Sequence, residues 1–527
     1  MADGTSGLTT YNATVIQDAI DETAGTGLPA YIGPGIYEAT ATVNLLSDVT
    51  LIFDPGAILS KGFSGGATLG QQDPQTKITN VKLIGGRIDN PQQLPGSQIS
   101  IFGDHVSISG MEIIDFYSPG LGVYIVGNDN KLSDLRVVTS CLLTGAGGIR
   151  MAGGNNFQCS NCYVSSGDDA LQFVPGSPNV GSADEDVSIN DSQYVNCVGI
   201  SAVARACVVF LENRSSTNPM TANITNCAFI GIRGRGGSIG ALCANKGQDG
   251  QPAAGAISSI QFIGVSLSQN AQSTDPIFAV EQGGEGDGPI QQIDFIGCTA
   301  FDGAGGPGLF VQNAARVRWI GGSLAAGKTS PTAVEFLQST DCDLRDATVV
   351  CSPASTTGIK VGFGNGSTGP SDRIRISGVT VMGIPGNGTG IVLDRTQSCV
   401  VAFNTCLRAS NAQPTYGISA TGAPNCLIDQ NNLLSVDYPY VLVGSGYIDS
   451  TLGVATSASG TVRLSSGTAD VTFPVVFMDG GYSVQLTGNT TSETFAFSNR
   501  SALGFTIISS NSSSTAEVCW SALHTQF

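Results

Sequence analysis

In residues 81–89, VKLIGGRID, an apolar segment is followed by a glycine turn at Gly85 and by another apolar residue three positions later. Residues 106–114, VSISGMEII, repeat this arrangement around Gly110, 25 positions further on. Two matching strand–turn–strand units at such a distance indicate a repeat. A repeat of this kind determines the architecture of a chain before any division into domains.

The unit recurs thirteen times, with the turn position held only by glycine, asparagine or aspartate: Gly85, Gly110, Asp134, Asn161, Asn196, Asn226, Gly264, Gly297, Gly321, Asp346, Gly378, Asn404 and Asn431. Successive turns lie 24 to 38 residues apart. A solenoid gives a minimum spacing of this kind, because the strands of each coil must stack while its loops can lengthen. The three residue types predict a backbone at positive φ, which β-branched residues avoid.

A second strand series lies between these turns, and includes GVYIVG, GGIRMAGG, DALQFVPG, IFAVEQGG, GLFVQN, AVEFLQ, GIKVGFG, GIVLDR and YGISATG. Each coil therefore contains at least two strands, and no helical period separates them. The 70 glycines and the low charged content, 12%, also favour an all-β chain. We predict a right-handed parallel β-helix over residues 35–445.

Composition excludes several classes of partner. Acidic residues outnumber basic ones 41 to 23, the net charge is −18, and no Lys/Arg cluster suits a nucleic acid. No apolar run reaches the about 18 residues that a membrane span needs, and no signal peptide is recognisable. The two histidines, His105 and His524, are too few for a histidine metal cluster. We predict no membrane segment, no metal and no cofactor.

Residues 14–60 resemble the opening of pectate-lyase-superfamily β-helix proteins, in which a short amphipathic helix precedes a Pro-Gly-x-Tyr turn. The resemblance implies that residues 1–34 form an N-terminal segment whose helix caps the first coil. Capping is physically reasonable, because an open first coil would expose apolar side chains and an unpaired strand edge. The fold alone does not define the chemistry, since it occurs in hydrolases, lyases and binding proteins.

Residues 145–173 are similar to the polygalacturonase-type glycoside hydrolases of family 28. Gly167-Asp168-Asp169 matches their Gly-Asp-Asp element, which implies that Asp168 and Asp169 are catalytic. Their upstream Asn-Thr-Asp element is replaced by Gly145-Ala146-Gly147, and their Gly-His-Gly and Arg-Ile-Lys elements are absent. A pair of carboxyls can cleave a glycosidic bond when one is protonated and the other ionised. The alternative is that the pair caps backbone N–H groups at a turn.

Strand alternation adds candidates for substrate binding. Arg150 and Gln172 point outward on neighbouring coils, and Arg150 is expected close to the aspartate pair, where it could bind a sugar carboxylate. Glu212 and Glu281 lie in the coils with the longest intervals, whose loops would form the walls of a groove. Solvated loop charges are the alternative interpretation for each glutamate.

The cysteines that follow the turn position, Cys162, Cys197, Cys227 and Cys298, are predicted to form an inward stack of reduced thiols. The spacing of Cys159 and Cys162 is that of a redox or zinc pair. On a continuous strand these two side chains would point to opposite faces, which argues against such a site.

Residues 446–460 are a predicted Ser/Gly/Thr-rich linker, and residues 461–527 a small β-sandwich. The strands SVQLTGN and GFTIISSN and the strand around Trp520 resemble the C-terminal domains of phage tail fibres and tailspikes, which trimerise or bind receptors. The resemblance implies a homotrimeric tailspike of the virion tail that contacts other tail proteins and binds a bacterial surface polysaccharide, with depolymerisation of that polysaccharide as a further activity. Two alternatives stay open: a non-catalytic virion adhesin, and an extracellular bacterial polysaccharide hydrolase or lyase.

Overall fold

The computed structural model describes sixteen ranges of the 527 residues: 8–71, 76–176, 187–213, 219–247, 251–270, 272–284, 286–363, 370–409, 415–423, 425–433, 435–443, 446–448, 457–472, 482–490, 492–501 and 504–524. The central part of the predicted linker, residues 449–456, lies outside them. Within these ranges the coils of the solenoid stack through parallel strand pairs, and the chain forms a right-handed parallel β-helix followed by a small C-terminal β-sandwich. The predicted fold class is confirmed.

The first sheet contains one strand from each coil, directly after the turn position. Its strands, in order along the solenoid, are Thr10–Asn12, Gly35–Ala39, Ala57–Lys61, Arg87–Asp89, Glu112–Ile114, Arg136–Val138, Tyr163–Ser166, Val198–Ser201, Arg233–Gly236, Ser266–Gln269, Thr299–Ala300, Ser323–Ala325, Thr348–Val350, Thr380–Ile384 and Thr405–Arg408.

The second sheet is the one that positions the candidate site. Its strands are Val43–Asn44, Leu69–Gly70, Ile99–Asp104, Gly120–Val126, Ala146–Met151, Leu171–Phe173, Arg205–Glu212, Ile239–Lys246, Phe278–Gln282, Leu309–Gln312, Thr332–Leu337, Thr357–Gly362, Thr389–Asp394, Tyr416–Thr421 and Tyr438–Val443, with Ile78–Thr79 paired at its side.

The third sheet precedes the turn position in each coil. Its strands are Ala30–Ile32, Thr50–Phe53, Lys82–Ile84, Ser107–Ser109, Lys131–Ser133, Gly154–Asn155, Gln158–Ser160, Ile189–Asn190, Gln193–Val195, Ile224–Thr225, Ala228–Ile230, Ile257–Ile263, Ile290–Ile296, Ala315–Ile320, Asp343–Arg345, Arg375–Ser377, Val400–Ala402, Cys426–Asp429 and Gly446–Ile448. The short strands Ser371–Asp372 and Thr396–Gln397 pair separately beside it.

The helix Thr14–Thr23 covers the first coil. Ile16 and Ile20 are fully buried on its inner side. The side chain of Gln17 binds both backbone groups of Asn44 in the first strand of the second sheet, at 2.7 Å from its N–H and 3.1 Å from its carbonyl. The edge of the sheet is thereby satisfied by a side chain instead of by another strand, which is how a solenoid end avoids further pairing.

The core consists of inward side chains stacked coil upon coil. In the third sheet, Tyr194, Phe229, Phe262, Phe295 and Trp319 stack in sequence, with ring centroids 4.9 to 5.3 Å apart. Such offset stacks add to the burial of apolar area. The spacing equals the distance between neighbouring strands, so the aromatic stack follows directly from the register of the coils.

The turn position has the predicted backbone in eleven of the thirteen units, where φ lies between 52° and 70°. Asn404 and Asn431 are exceptions. There the positive φ belongs to Phe403 and Gln430, one residue earlier, at 60° and 46°.

Both asparagines are fully buried, and the Nδ2 of Asn404 donates to the Oδ1 of Asn431 at 3.0 Å. Their amides satisfy backbone groups inside the corner, such as the N–H of Val379, which donates to Asn404 at 2.9 Å. The sequence alignment of these two units was therefore wrong by one residue.

The stack of Cys162, Cys197, Cys227 and Cys298 faces inward as predicted, and all four side chains are buried. The prediction for Cys159 and Cys162 was wrong. Asn161 lies between them at a φ of 55°, and the turn brings both sulfurs into the interior, 3.5 Å apart. Strand alternation does not apply across a left-handed residue.

The C-terminal β-sandwich has antiparallel pairing and its own core. One sheet joins Ser457–Arg463, Glu517–His524 and Tyr482–Gly488, and the other joins Thr468–Thr472, Gly504–Ser509 and Phe495–Ser501. Phe505 and Trp520 meet edge to face in the core, at a centroid distance of 5.7 Å. The change from parallel to antiparallel pairing marks a change of architecture between the two parts of the chain.

Candidate functional site

The turn that carries Asp168 and Asp169 joins the first sheet to the second. Asp169 is buried, and both of its carboxylate oxygens accept hydrogen bonds from the guanidinium of Arg205, at 2.6 Å from Nε and 2.5 Å from Nη2. The backbone N–H of Arg205 donates to the same carboxylate at 3.1 Å. This is a bidentate, charge-assisted pair. It joins one coil to the next.

Burial raises the pKa of the Asp169 carboxyl, and the guanidinium of Arg205 opposes that effect. The side chain of Arg205 is only 22% exposed and lies over the ring of Phe210 at 5.3 Å. The pair is thus enclosed by protein on both sides. With both oxygens of Asp169 engaged by one arginine, this carboxyl is placed to hold two coils together.

Asp168 has different surroundings. Its side chain is half-buried, and its Oδ2 accepts a hydrogen bond from the backbone N–H of Gly145 at 2.6 Å. Ser166 donates to the carbonyl of Asp168 at 2.6 Å, which fixes the turn from the other side. The carboxylate therefore caps a loop of the preceding coil, and the geometry supports the turn-cap alternative for this residue.

Gln172 lies on the outer side of the second sheet, in register with Arg150, as the sequence predicted. Its side chain is nevertheless buried, and its Nε2 donates to the carbonyl of Asp169 at 2.7 Å. The inward neighbours Leu171 and Phe173 are fully buried. Gln172 thus stabilises the same turn from within the strand that follows it.

Arg150 lies in register with Gln172, as expected, and its guanidinium binds the segment that follows the strand of Gln172. Its Nε and Nη2 donate to the carbonyls of Val174 and Pro175, both at 2.9 Å. The arginine that pairs with Asp169 is Arg205, because the N–H of Ala170 bonds to the carbonyl of Arg205 and sets the two side chains next to each other.

Tyr124 acts on the same segment as Arg150. Its hydroxyl donates to the carbonyl of Gly176 at 2.9 Å, and the guanidinium of Arg150 lies 5.7 Å from its ring centroid. Together the two side chains hold residues 174–176 against the outside of the sheet.

Sequence reasoning missed Arg205. Residues 205–212, RACVVFLE, form a strand of the second series, and Leu171 is the register partner of Cys207. Including this strand in the second series would have placed Arg205 opposite Asp169. The turns Asn161 and Asn196 are 35 residues apart, so the coil between them contains extra residues. Because these can fall on either side of a strand, the sequence does not determine how residues 205–212 align with the preceding strand.

The outer face of the second sheet is apolar in the coils that follow. A group of buried apolar residues, separate from the main core, lies on four neighbouring strands or at their ends: Val174, Val208, Phe210, Leu242, Ala244 and Ala279. Arg205–Glu212 and Ile239–Lys246, with eight residues each, are among its strands. We call these six residues the outer apolar cluster.

Glu281 lies at the border of the outer apolar cluster. It is the register partner of Ala244 on one side and of Gln312 on the other, and its side chain is half-buried. Burial raises the pKa of the Glu281 carboxyl, and the negative charge of Asp275 raises it further. A carboxyl of this kind retains its proton to a higher pH than a solvated glutamate does.

The loops beside Glu281 are tied together by Asp287, whose carboxylate is buried. Asp287 accepts hydrogen bonds from the N–H groups of Ala253 and Gly284, both at 2.7 Å. Gln282, next to Glu281, donates to the carbonyl of Asp287 at 3.0 Å. The end of this strand is therefore held by a defined hydrogen-bond network.

Glu212 ends the strand Arg205–Glu212, in register with Lys246. Its side chain is half-buried, and its charge is one of those that raise the pKa of Arg205. Glu281 lies three strands further along the sheet than Gln172, which corresponds to about 14 Å at the usual strand spacing. The structure thus separates the predicted residues into a corner around Asp169 and a second group around Glu281.

The described residues contain one group with three potential metal ligands, formed by Cys159, Cys162 and Cys197. The described residues include no helix that is both long and apolar enough to cross a membrane.

Comparisons with known proteins give structural matches only. No family model matches the sequence, and no curated protein matches it. A tailspike protein mutant of E. coli bacteriophage HK620 has a TM-score of 0.54 at 10% identity, covering 98% of this chain and 90% of that chain. A second mutant of that tailspike, in complex with a pentasaccharide, has a TM-score of 0.51 at 10% identity and the same coverage. The chain thus has the β-helix fold of phage tailspikes.

Proposed function

We propose that this chain is a tailspike-type protein that binds a bacterial surface polysaccharide on the outer face of the second sheet, around Glu281. The observation that carries the proposal is the half-buried Glu281 at the border of the outer apolar cluster. Support also comes from the fold, because the matching HK620 tailspike was solved with a pentasaccharide. That likeness concerns the fold, so the site rests on the residues of this chain.

The surroundings of Glu281 suit a carbohydrate. Ligand sites in proteins combine apolar walls with a few polar groups that fix orientation. The outer apolar cluster is buried and supports the strands of this face, whereas the half-buried Phe310 and Gln312 on the next strand offer an apolar ring and an amide beside Glu281. Sugar rings present apolar C–H faces and hydroxyl groups, which match an apolar surface with carboxylate and amide groups at its border.

We propose cleavage of the bound polysaccharide as a second step at the same place, with Glu281 as general acid. Glycosidases require one carboxyl that is protonated at the working pH and a second that is ionised. The raised pKa of Glu281 fits the protonated carboxyl. The candidate for the ionised carboxyl is the exposed Asp275, whose negative charge contributes to raising the pKa of Glu281. The family-28 resemblance instead assigns catalysis to Asp168 and Asp169, which stays a competing prediction.

We also retain the homotrimer, the virion tail and contacts with other tail proteins as parts of the proposal. They follow from the resemblance of the C-terminal residues to tail-fibre domains and from the tailspike fold. A closed three-fold assembly would cover outward faces of the coils. Light scattering of the full chain at micromolar concentration should give three times the chain mass of 53.8 kDa, and a monomer would contradict this part.

The function is tested with immobilised bacterial capsular and O-antigen polysaccharides. We expect the wild-type chain to bind at least one of them. Glu281→Gln should weaken that binding at least tenfold. Glu38→Gln is the control, because Glu38 is a glutamate on a strand of the first sheet and so lies outside the proposed binding face. Equal binding by both variants would reject the site, and absence of binding across the panel would reject the function.

Release of new reducing ends from a bound polysaccharide tests the cleavage step. Activity that disappears in Glu281→Gln and persists in Asp168→Asn would support the acid assigned here. Loss in Asp168→Asn with retention in Glu281→Gln would favour the family-28 assignment. Binding without any product would leave the non-catalytic adhesin as the function.

A further inference from the structure

Three cysteine sulfurs meet inside the β-helix, next to the corner between the third and first sheets. The Sγ atoms of Cys159, Cys162 and Cys197 all lie within 4.8 Å of one another, and those of Cys159 and Cys162 are 3.5 Å apart. All three side chains are buried. We call them the cysteine trio.

The trio follows from the backbone of two successive corners. Asn161, at a φ of 55°, turns the chain between Cys159 and Cys162, so both side chains point into the coil. Asn196, at 52°, repeats the turn one coil later and places Cys197 beside Cys162. The N–H of Cys162 donates to the Sγ of Cys197 at 3.4 Å, which confirms the close approach of the two corners.

We infer that the cysteine trio binds one thiophilic d10 metal ion, such as Zn²⁺, Cd²⁺ or Cu⁺. Zinc–sulfur bonds of about 2.3 Å at tetrahedral angles place neighbouring sulfurs about 3.8 Å apart. The sulfurs of Cys159 and Cys162 are 3.5 Å apart and all three sulfurs lie within 4.8 Å of one another, so small shifts would bring them to this distance. Thiolates select soft metal ions over the hard ions that prefer oxygen.

The binding step releases protons, because a thiolate and not a thiol is the ligand. Three neutral thiols that take up Zn²⁺ lose three protons to solvent, and the resulting centre carries one negative charge. The N–H of Cys162 already points at the sulfur of Cys197 and compensates part of that charge.

The alternative is that the trio packs as three neutral thiols, which behave as small apolar groups. The two interpretations differ in their consequences for folding. Since the trio is enclosed in the core, a metal ion would enter while the coils assemble, and its binding would add to the free energy of folding.

The experiment refolds the reduced full-length chain from denaturant with and without one equivalent of Zn²⁺, followed by removal of loosely bound metal. We expect one zinc per chain by elemental analysis and a higher melting temperature than without zinc. Refolding with Cd²⁺ should produce the ultraviolet charge-transfer band of cadmium–thiolate bonds.

Cys162→Ala and Cys159→Ala should each abolish stoichiometric zinc uptake and the cadmium band. Cys227→Ala is the matched control, because Cys227 is a buried cysteine that follows the turn residue of the next coil and lies outside the trio. It should retain both signals.

Wild-type protein that refolds without retaining zinc or cadmium would overturn the inference, as would equal uptake by wild type and Cys162→Ala. If the trio variants do not refold, X-ray absorption at the zinc edge of the wild-type protein identifies the atoms bonded to zinc and so tests the inference without them. Sulfur neighbours at about 2.3 Å support the trio, and a shell of only nitrogen and oxygen overturns it.

Discussion

Two aspartate–arginine pairs in this chain share one geometry and differ in their surroundings. Arg205 donates hydrogen bonds to Asp169 from Nε at 2.6 Å and from Nη2 at 2.5 Å. Arg318 donates to Asp294 from the same two atoms, both at 2.6 Å. The side chain of Arg205 is 22% exposed, whereas that of Arg318 is 50% exposed. The two carboxylates are about equally buried, at 9% and 11% exposure, so the pairs differ in how far the arginine is exposed.

The position of a charge pair, and not its hydrogen-bond geometry, determines how much the pair contributes to the free energy of folding. An exposed pair is screened by water and contributes little to folding. A buried pair is strongly destabilising to break, because the remaining partner stays as an uncompensated charge. Asp169 also accepts a hydrogen bond from the backbone N–H of Arg205 at 3.1 Å.

The largest expected effect is that of Asp169→Asn. The substitution leaves the guanidinium of Arg205 without its carboxylate in a mostly buried site, so we expect the free energy of unfolding to fall by about 3 kcal/mol or more. Chemical denaturation measures it. A loss below about 1 kcal/mol, the range of an exposed pair, would show that burial does not separate the two pairs.

Asp168→Ala should have an intermediate effect. It removes the oxygen that accepts from the N–H of Gly145, and loss of such a cap costs about 0.5 to 2 kcal/mol. Asp168→Asn keeps an acceptor oxygen and should cost less, as denaturation midpoints of the two variants would show. Equal losses in both variants would indicate that the charge, and not the cap, stabilises the turn.

The smallest loss is expected for Asp294→Asn. Half of the Arg318 side chain is exposed, so solvent can replace the lost carboxylate, and the cost should be about 1 kcal/mol or less. The same denaturation series provides the value. A cost equal to that of Asp169→Asn would contradict the contrast between the two regions.

Glu281→Gln should change stability in a pH-dependent manner. The pKa of Glu281 is raised in the folded state above its ordinary 4.5, so the folded chain prefers the protonated form. The stabilising contribution of this preference is complete below pH 4.5 and is lost as pH rises through the folded-state pKa. The variant should therefore gain in melting temperature relative to wild type on going from acid to neutral pH. A pH-independent difference would argue against a buried acid.

Much of the fold could be predicted from sequence because one backbone requirement repeats. Gly85, Gly110 and nine further turn residues adopt positive φ, and three residue types suffice to recognise them. The method failed at Asn404 because asparagine serves two purposes, as a left-handed residue and as a buried amide that satisfies backbone groups. One residue type then fits two adjacent positions.

The candidate site was less predictable, since its contacts join coils whose loops differ in length. Asp168 and Asp169 stood out as adjacent acids, but the partner Arg205 lies 36 residues away and required the register of a strand that the repeat search did not include. The burial of residues 206–211 and the half-buried state of Glu281 both depend on what covers each face of their strands. Only the assembled coils determine that covering.

The Asp169 corner is structural and the Glu281 face binds, if the account is right. Measuring stability and polysaccharide affinity together in Asp169→Asn and Glu281→Gln, with affinity expressed per folded molecule, tests this directly. We predict a crossed pattern. Asp169→Asn should lose about 3 kcal/mol or more and keep its affinity, whereas Glu281→Gln should remain as stable as wild type at acid pH and lose affinity at least tenfold. The reverse pattern, with a stable Asp169→Asn that no longer binds and a Glu281→Gln that binds normally, would contradict the separation of a structural corner from a binding face.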